Sequence, residues 1–375
     1  MIVRSLFQEV NKRMFSGKII LLIGPRQVGK TTLMQQLQQA SNQNSIWLNC
    51  DEPDIRKQLE GANSTQLANL IGSSNLVFID EAQRVNNIGI TLKLLADNFK
   101  SVQVIATGSS AFELSNELNE PLTGRKWEYQ MFPLTAAEMR EHHGQLAESR
   151  NLHQRLIFGA YPDVVQNPAD AAEILLELSQ NYLYKDVLGH EALRKPLVLE
   201  KLLQALALQL SNEVSFNELG QLIGIEHRTV EKYIQLLEKC FIVFSLPAFS
   251  RNLRNEIKKS RKIYFYDNGV RNAILKNFNP VDLRTDIGAL WENYLISERK
   301  KWLSYSRYWV NSYFWRTHNQ QEIDLIEEHA GKLHAYEFKW NVRKKAQLPS
   351  NFAKAYPNSN FELLHPENYL DFIGA

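Results

Sequence analysis

The residues whose spacing carries the most chemistry are Gly24-Pro25-Arg26-Gln27-Val28-Gly29-Lys30-Thr31-Thr32, which spell G-x-x-x-x-G-K-T directly after the apolar run Ile19 to Ile23. Glycines at 24 and 29 permit a tight turn in which consecutive backbone N–H groups converge on phosphate oxygens. Lys30 is spaced to reach the β- and γ-phosphates, and Thr31 offers a hydroxyl to Mg²⁺. A helix opening near Thr31 points its positive end at the same phosphates. The preceding run has the length and β-branched content of a strand, which is the setting this loop requires. ATP with Mg²⁺ is the ligand such a loop is built to hold.

Further along, Asn75 to Glu81 reads as a parallel strand buried on both faces and closed by two carboxylates. Asp80 is placed to hold Mg²⁺, and Glu81 to orient or deprotonate the water that attacks the γ-phosphate. The strand Val102 to Thr107 leads into Gly108-Ser109-Ser110. Ser109, with Thr107 second, is the candidate for a hydrogen bond to the γ-phosphate or to that water. The other reading is a hydroxyl capping a helix that starts near Ala111. Arg125, on the turn Leu122-Thr123-Gly124-Arg125, is either a γ-phosphate sensor, an arginine finger across a subunit interface, or a salt-bridged surface residue. Thr135 and Glu138 have the spacing of a capping box for a new helix.

A second group of reactive side chains lies in the last third. The alternating strands Gln321 to Ile326 and Leu333 to Trp340 carry Asp324, Glu337 and Lys339, and positions 337 and 339 share one strand face. Asp324 and Glu337 would then hold a divalent metal, while Lys339 positions or activates water against a phosphodiester. A solvated E-x-K salt pair is the alternative.

The elements that must position these groups are those of a soluble globular chain. Its 375 residues are 44% hydrophobic and 22% charged, enough for two or three cored domains. A net charge of +2 leaves any nucleic-acid contact to local clusters. Cys50 and Cys240 are too few for a disulfide framework or a tetrahedral zinc site and read as buried thiols. No apolar run approaches the roughly 18 to 20 residues of a membrane span, and the first residues lack a signal-peptide core, so a cytoplasmic protein without membrane contact is expected.

Between the two reactive regions the pattern turns helical over Ala171 to Leu188 and Leu197 to Leu210, with Leu156 to Asp163 as a connector. Val214 to Ile225 and His227 to Glu238 have helix-turn-helix spacing. Leu219, Leu222, Ile225, Val230, Ile234 and Leu237 are the expected packing residues, and Arg228, Lys232 and Gln235 the outward ones. Arg251, Arg254, Lys258, Lys259, Arg261 and Lys262 crowd the loop that follows. Such charge suits the phosphates of DNA or RNA with little base discrimination, or else docks a protein partner.

The set GPRQVGKTT, LVFIDEAQ, VIATGSSAF, LTGR and FPLTAAE resembles the AAA+ superfamily, in particular its prokaryotic archaeal-ATPase type. In that type such a core precedes a winged helix and a restriction-endonuclease-like domain. The resemblance covers nearly the whole chain. It implies an α/β fold with a P-loop AAA+ core and parallel sheet over 1–148, a helical lid over 149–210, a winged helix over 211–270 and a carboxy-terminal α/β restriction-endonuclease-like domain over 271–375. It further implies Ser109 as sensor-1 residue, Arg125 as arginine sensor or finger, and Glu292 as a helix acid joining Asp324, Glu337 and Lys339 in a PD-(D/E)XK arrangement. Here Asp324 stands in Glu-Ile-Asp rather than Pro-Asp. The implied function is ATP binding and hydrolysis by a protein acting on nucleic acid, as a homo-oligomer or with a protein partner. Two alternatives stand beside it. One is an ATP switch with a catalytically silent carboxy-terminal domain, and the other an ATP-gated DNA-binding regulator.

Overall fold

Five short runs rich in Ile, Val and Leu build the sheet that carries the first reactive group: β1 (Ile19–Ile23), β2 (Ser45–Asn49), β3 (Leu76–Asp80), β4 (Gln103–Gly108) and β5 (Lys126–Gln130). The computed structural model describes residues 2–109, 122–188, 196–250, 261–317 and 319–375, with only the backbone described for 181–188. The expected helix from Ala111 and the basic residues Arg251, Arg254, Lys258 and Lys259 lie outside the described residues.

The chain divides into two units, Met1–Phe132 with Lys239–Phe241, and Pro133–Glu238 with Ile242–Ala375. In the first, the sheet runs β2-β3-β4-β1-β5 and every pairing is parallel. All residues of β1, β3 and β4 are buried, so their continuous apolar character is the signature of a sheet covered on both faces. β4 therefore lies between the strand that feeds the glycine loop and the strand that ends in Asp80. Ligands in parallel sheets bind at the carboxyl ends of the strands, where the order reverses.

Near the start of the second unit, the Thr135 side chain accepts from Glu138 N while Glu138 returns the bond, the capping box expected for the helix Ala136–His143. Helices Leu152–Phe158, Ala171–Leu188 and Pro196–Leu208 follow. A three-stranded antiparallel sheet, ordered β6 (Glu213–Val214), β8 (Arg261–Phe265), β7 (Val243–Pro247), accompanies the helix pair Phe216–Ile223 and His227–Lys239. Leu219, Val230, Ile234 and Leu237 are buried as expected, but Leu222 is 69% exposed and does not pack. Its three-residue spacing from Leu219 puts it on the expected stripe, yet its side chain stays in solvent.

The last sheet runs β12 (Asn360–Leu364), β11 (Lys332–Phe338), β10 (Glu322–His329), β9 (Asn311–Arg316), with the helix Ile287–Ser306 earlier in the same unit. Ile323, Ile326, Ala335 and Phe352 form a core on one face of this sheet. Period-two alternation then leaves Glu322 and Asp324 on the face opposite Ile323. No helix among the described residues is long and apolar enough to cross a membrane.

Candidate functional site

The glycine loop leaves β1 at Gly24, where no side chain fits, because a Cβ there would lie 2.0 Å from the carbonyl oxygen of Met131. Gly29 closes the loop at φ +91, a conformation that costs glycine nothing, and the helix Lys30–Ser41 starts from it. Pro25, Arg26, Gln27 and Val28 form the arch between them, with Gln27 also at positive φ. Lys30 is 5% exposed, and its Nζ donates to the carbonyls of Gly24 and Pro25 at 2.9 and 2.7 Å, which holds the ammonium across the loop. Thr31 Oγ1 donates to Asp80 Oδ2 at 2.8 Å, and Thr32 continues the first helical turn.

β4 serves this site as much as β3 does. Thr107 Oγ1 donates to Asp80 Oδ1 and accepts from Glu81 N, so one buried hydroxyl fixes both the carboxylate and the turn after it. Glu81 adopts φ 52, a left-handed conformation that turns the chain out of the strand. Its carboxylate accepts from Gln83 Nε2 at 2.5 Å, while Gln83 Oε1 accepts from Ser109 N at 3.3 Å. Ser109 Oγ is buried and has no hydrogen-bond partner among the described residues. A buried hydroxyl at a strand tip calls for a partner.

Two further residues bear on the site. Arg4, 4% exposed, donates from its guanidinium to the carbonyls of Val28 and Phe132 at 2.6 and 2.7 Å and so props the loop from beneath. No periodicity or motif in the sequence marks it. Gln83 could have been noticed as the polar side chain following the two carboxylates. Arg125 is not brought to this cluster. The parallel register pairs Ile19 with Lys126, so Arg125 sits at the amino end of the sheet, whereas the loop leaves the carboxyl end beyond Ile23. Five residues at about 3.3 Å rise separate those edges. The Arg125 guanidinium instead pairs with Asp97 at 2.6 Å, and this bond holds the Asp97 carboxyl below its ordinary range.

In the second unit the expected acids do converge, but around a residue expected elsewhere. The antiparallel register that pairs Leu325 with Tyr336 sets Asp324 opposite Glu337. Lys339 Nζ donates to Glu337 Oε1 at 2.5 Å, and Asp324 Oδ2 accepts from Phe338 N at 2.8 Å. Glu292 comes from the helix Ile287–Ser306, whose next residue, Asn293, bonds both the N–H and the carbonyl of Phe265 and so docks the helix against β8. Lys262 is the correction: it is no solvated loop cation but a β8 residue, 1% exposed. Its Nζ lies 3.0 Å from Glu292 Oε1 and 2.5 Å from Glu322 Oε1, and Tyr264 OH donates to the same Glu292 oxygen at 2.6 Å.

Burial raises the affinities of Glu292, Asp324 and Glu337 for a proton, with mutual repulsion adding to it and the two lysines opposing. Burial acts to lower Lys262, yet the carboxylates of Glu292, Asp324 and Glu322 outweigh it and hold its ammonium well above the ordinary lysine range. Among the described residues no three carboxylate, imidazole or thiolate groups are gathered so as to hold a metal ion. Thr31 and Asp80, two oxygen donors in contact, fit Mg²⁺ in the first unit. The acids of the second unit differ in having the buried Lys262 ammonium already among them, and beside that charge a divalent ion does not fit.

Comparison with known proteins divides along the same lines. Residues 16–140 match the family model described as an AAA domain, whereas residues 149–281 and 287–368 each match a model described as a domain of unknown function. An uncharacterised protein of Mycobacterium tuberculosis is 25% identical over 342 residues, covering 88% of this chain and 72% of its own. An uncharacterised protein of Methanocaldococcus jannaschii is 25% identical over 352 residues, covering 80% of this chain and 73% of its own. Among solved structures, Cdc6p of Pyrobaculum aerophilum aligns at 14% identity over 72% of this chain and 91% of that one, with a TM-score of 0.29, too distant to carry an argument. The chain thus contains, over residues 16–140, a segment similar to AAA ATPase domains, and the phosphate loop and Asp80 both fall inside it.

Proposed function

We propose that the chain binds ATP with Mg²⁺ and hydrolyses it in its first unit, and that its second unit engages nucleic acid. The observation that carries the first part is the 2.8 Å contact between Thr31 Oγ1 and Asp80 Oδ2 beside the Lys30 ammonium. Mg²⁺ held by these oxygens would neutralise charge on the phosphates. The loop amides and Lys30 bind the phosphate oxygens, and Glu81, held by Gln83, orients the attacking water and takes its proton. Ser109 is the hydroxyl available to the γ-phosphate. Arg125 keeps a role only as a finger offered to a neighbouring copy. Lys30→Ala is expected to abolish nucleotide binding, measured with a fluorescent ATP analogue, and retained binding would overturn the assignment.

Support for nucleic acid comes from charge and aromatic surface in the second unit. Arg228, Lys232 and Gln235 are exposed along one face of the helix His227–Lys239, in a helix pair and small sheet that we read as a winged helix. A shallow cleft of about 630 Å³ is lined by Arg150, His153, Trp340 and Arg343, with no carboxylate in its wall among the described residues. Trp340 is braced by Trp291 and His153 at ring separations of 5.6 and 5.7 Å. Single-stranded nucleic acid binds such surfaces by stacking and by phosphate contacts. With a labelled oligonucleotide, Arg150→Gln with Arg343→Gln should weaken binding and flatten its salt dependence, since each lost contact releases fewer counterions. An unchanged slope would move the interface to the helix pair.

A second reading, phosphodiester cleavage by a restriction-endonuclease-like domain, draws on Asp324 facing Glu337 next to Lys339. The Lys262 ammonium among the same acids weighs against its metal-dependent form.

A further inference from the structure

We propose that Lys262 is the resident cation of the carboxylate cluster in the second unit, occupying the place a divalent metal would take and making the cluster a metal-independent fixture of the domain. This inference is independent of the nucleic-acid reading above, because it concerns only what holds Glu292, Glu322, Asp324 and Glu337 together.

The argument starts from the cost of burial. A lysine ammonium that is 1% exposed survives in its charged form only if carboxylates surround it. Lys262 meets this condition with acids drawn from two further elements: Glu292 from the helix Ile287–Ser306, and Glu322 from β10. Asp324, two residues along β10, adds its charge to the same ammonium. The aliphatic stem leads from β8 to a head group that lies 5.6 Å from the Phe314 ring centroid. None of this resembles a surface lysine that has strayed inward. The strand, the tyrosine two residues on, and the Asn293 clamp on Phe265 all fix where the ammonium ends.

A divalent ion such as Mg²⁺ needs even one or two carboxylates to aim free lone pairs at a single point about 2.0–2.1 Å away. Here Glu292 Oε1 already accepts from both Lys262 and Tyr264, and Glu322 Oε1 accepts from Lys262. Asp324 Oδ2 accepts from the Phe338 amide, and Glu337 Oε1 from Lys339. A metal placed among these oxygens would sit against the Lys262 ammonium, and like charges that close in a buried site exclude one another. The lysine must leave before the metal can enter.

The test is Mn²⁺ binding to the full chain without nucleotide, counted by electron paramagnetic resonance of the free ion. Wild type and Asp324→Asn should bind the same number of Mn²⁺ ions, since the cluster binds none in either; the comparison cancels any weak binding at the phosphate loop. Lys262→Ala, which vacates the space and leaves the carboxylates, should gain a saturable Mn²⁺ that is lost again in Lys262→Ala with Asp324→Asn. A saturable ion in wild type that disappears in Asp324→Asn would overturn the proposal. A folded Lys262→Ala chain with no added ion would overturn it as well. If Lys262→Ala does not fold, the wild-type comparison alone decides. Loss of oligonucleotide binding would bear on the nucleic-acid reading and leave this result untouched.

Discussion

Glu81→Gln is expected to bind ATP as tightly as the wild type while its turnover falls by about 100-fold or more, the range that a positioned general base contributes. The substitution keeps the size of the side chain and the backbone turn at φ 52. It also keeps an oxygen able to accept from Gln83. What it removes is the negative charge that draws a proton from the attacking water. Asp80 and Thr31, which hold each other independently of Glu81, stay in place. Steady-state phosphate release and nucleotide affinity, measured side by side, separate the two effects. Equal hydrolysis rates in Glu81→Gln and wild type would show that another group activates the water.

Lys262→Met should destabilise the second unit by about 3–5 kcal/mol, because it deletes the ammonium at the centre of a buried ion cluster. Glu292 and Glu322 would lose their ammonium while the methionine fills similar volume, so cavity formation contributes little. Adding Glu292→Gln to Lys262→Met should recover part of the loss, since an amide tolerates burial without a counter-charge. The recovery is the signature of direct coupling and appears as non-additivity in a double-mutant cycle. Chemical denaturation followed by the tryptophans of the second unit measures it. Strictly additive costs would mean that Lys262 and Glu292 do not interact.

The parts of this protein that were legible in sequence are those whose chemistry is local. The phosphate loop, the Asp80-Glu81 strand end, the capping box at Thr135 and the helix pair around Gly224 each follow from spacing within a few residues, and each forms where spacing puts it. Misplaced or unnoticed residues owe their positions to distant segments. The turn holding Arg125 leaves a phosphate sensor, an arginine finger and a salt-bridged surface residue all open, and only the parallel register and the Asp97 pair show it at the far edge of the sheet. Lys262 stands in sequence among basic neighbours, although it alternates inward on β8 toward acids 30 and 60 residues away. Gln83 joins Glu81 to Ser109 across 26 residues, and no periodicity announces such a bridge.

Arg4 carries a consequence for the order in which the protein matures during synthesis. It props the phosphate loop by bonding the carbonyl of Val28 on one side and that of Phe132 on the other, a separation of 128 residues along the chain. Gly24 likewise packs under Met131, just beyond the edge strand β5. A nascent chain therefore displays the complete glycine-lysine motif long before the loop has its supports. On the proposed function, nucleotide capture therefore awaits at least the emergence of Phe132 from the ribosome, and Lys239–Phe241 join the first unit later still.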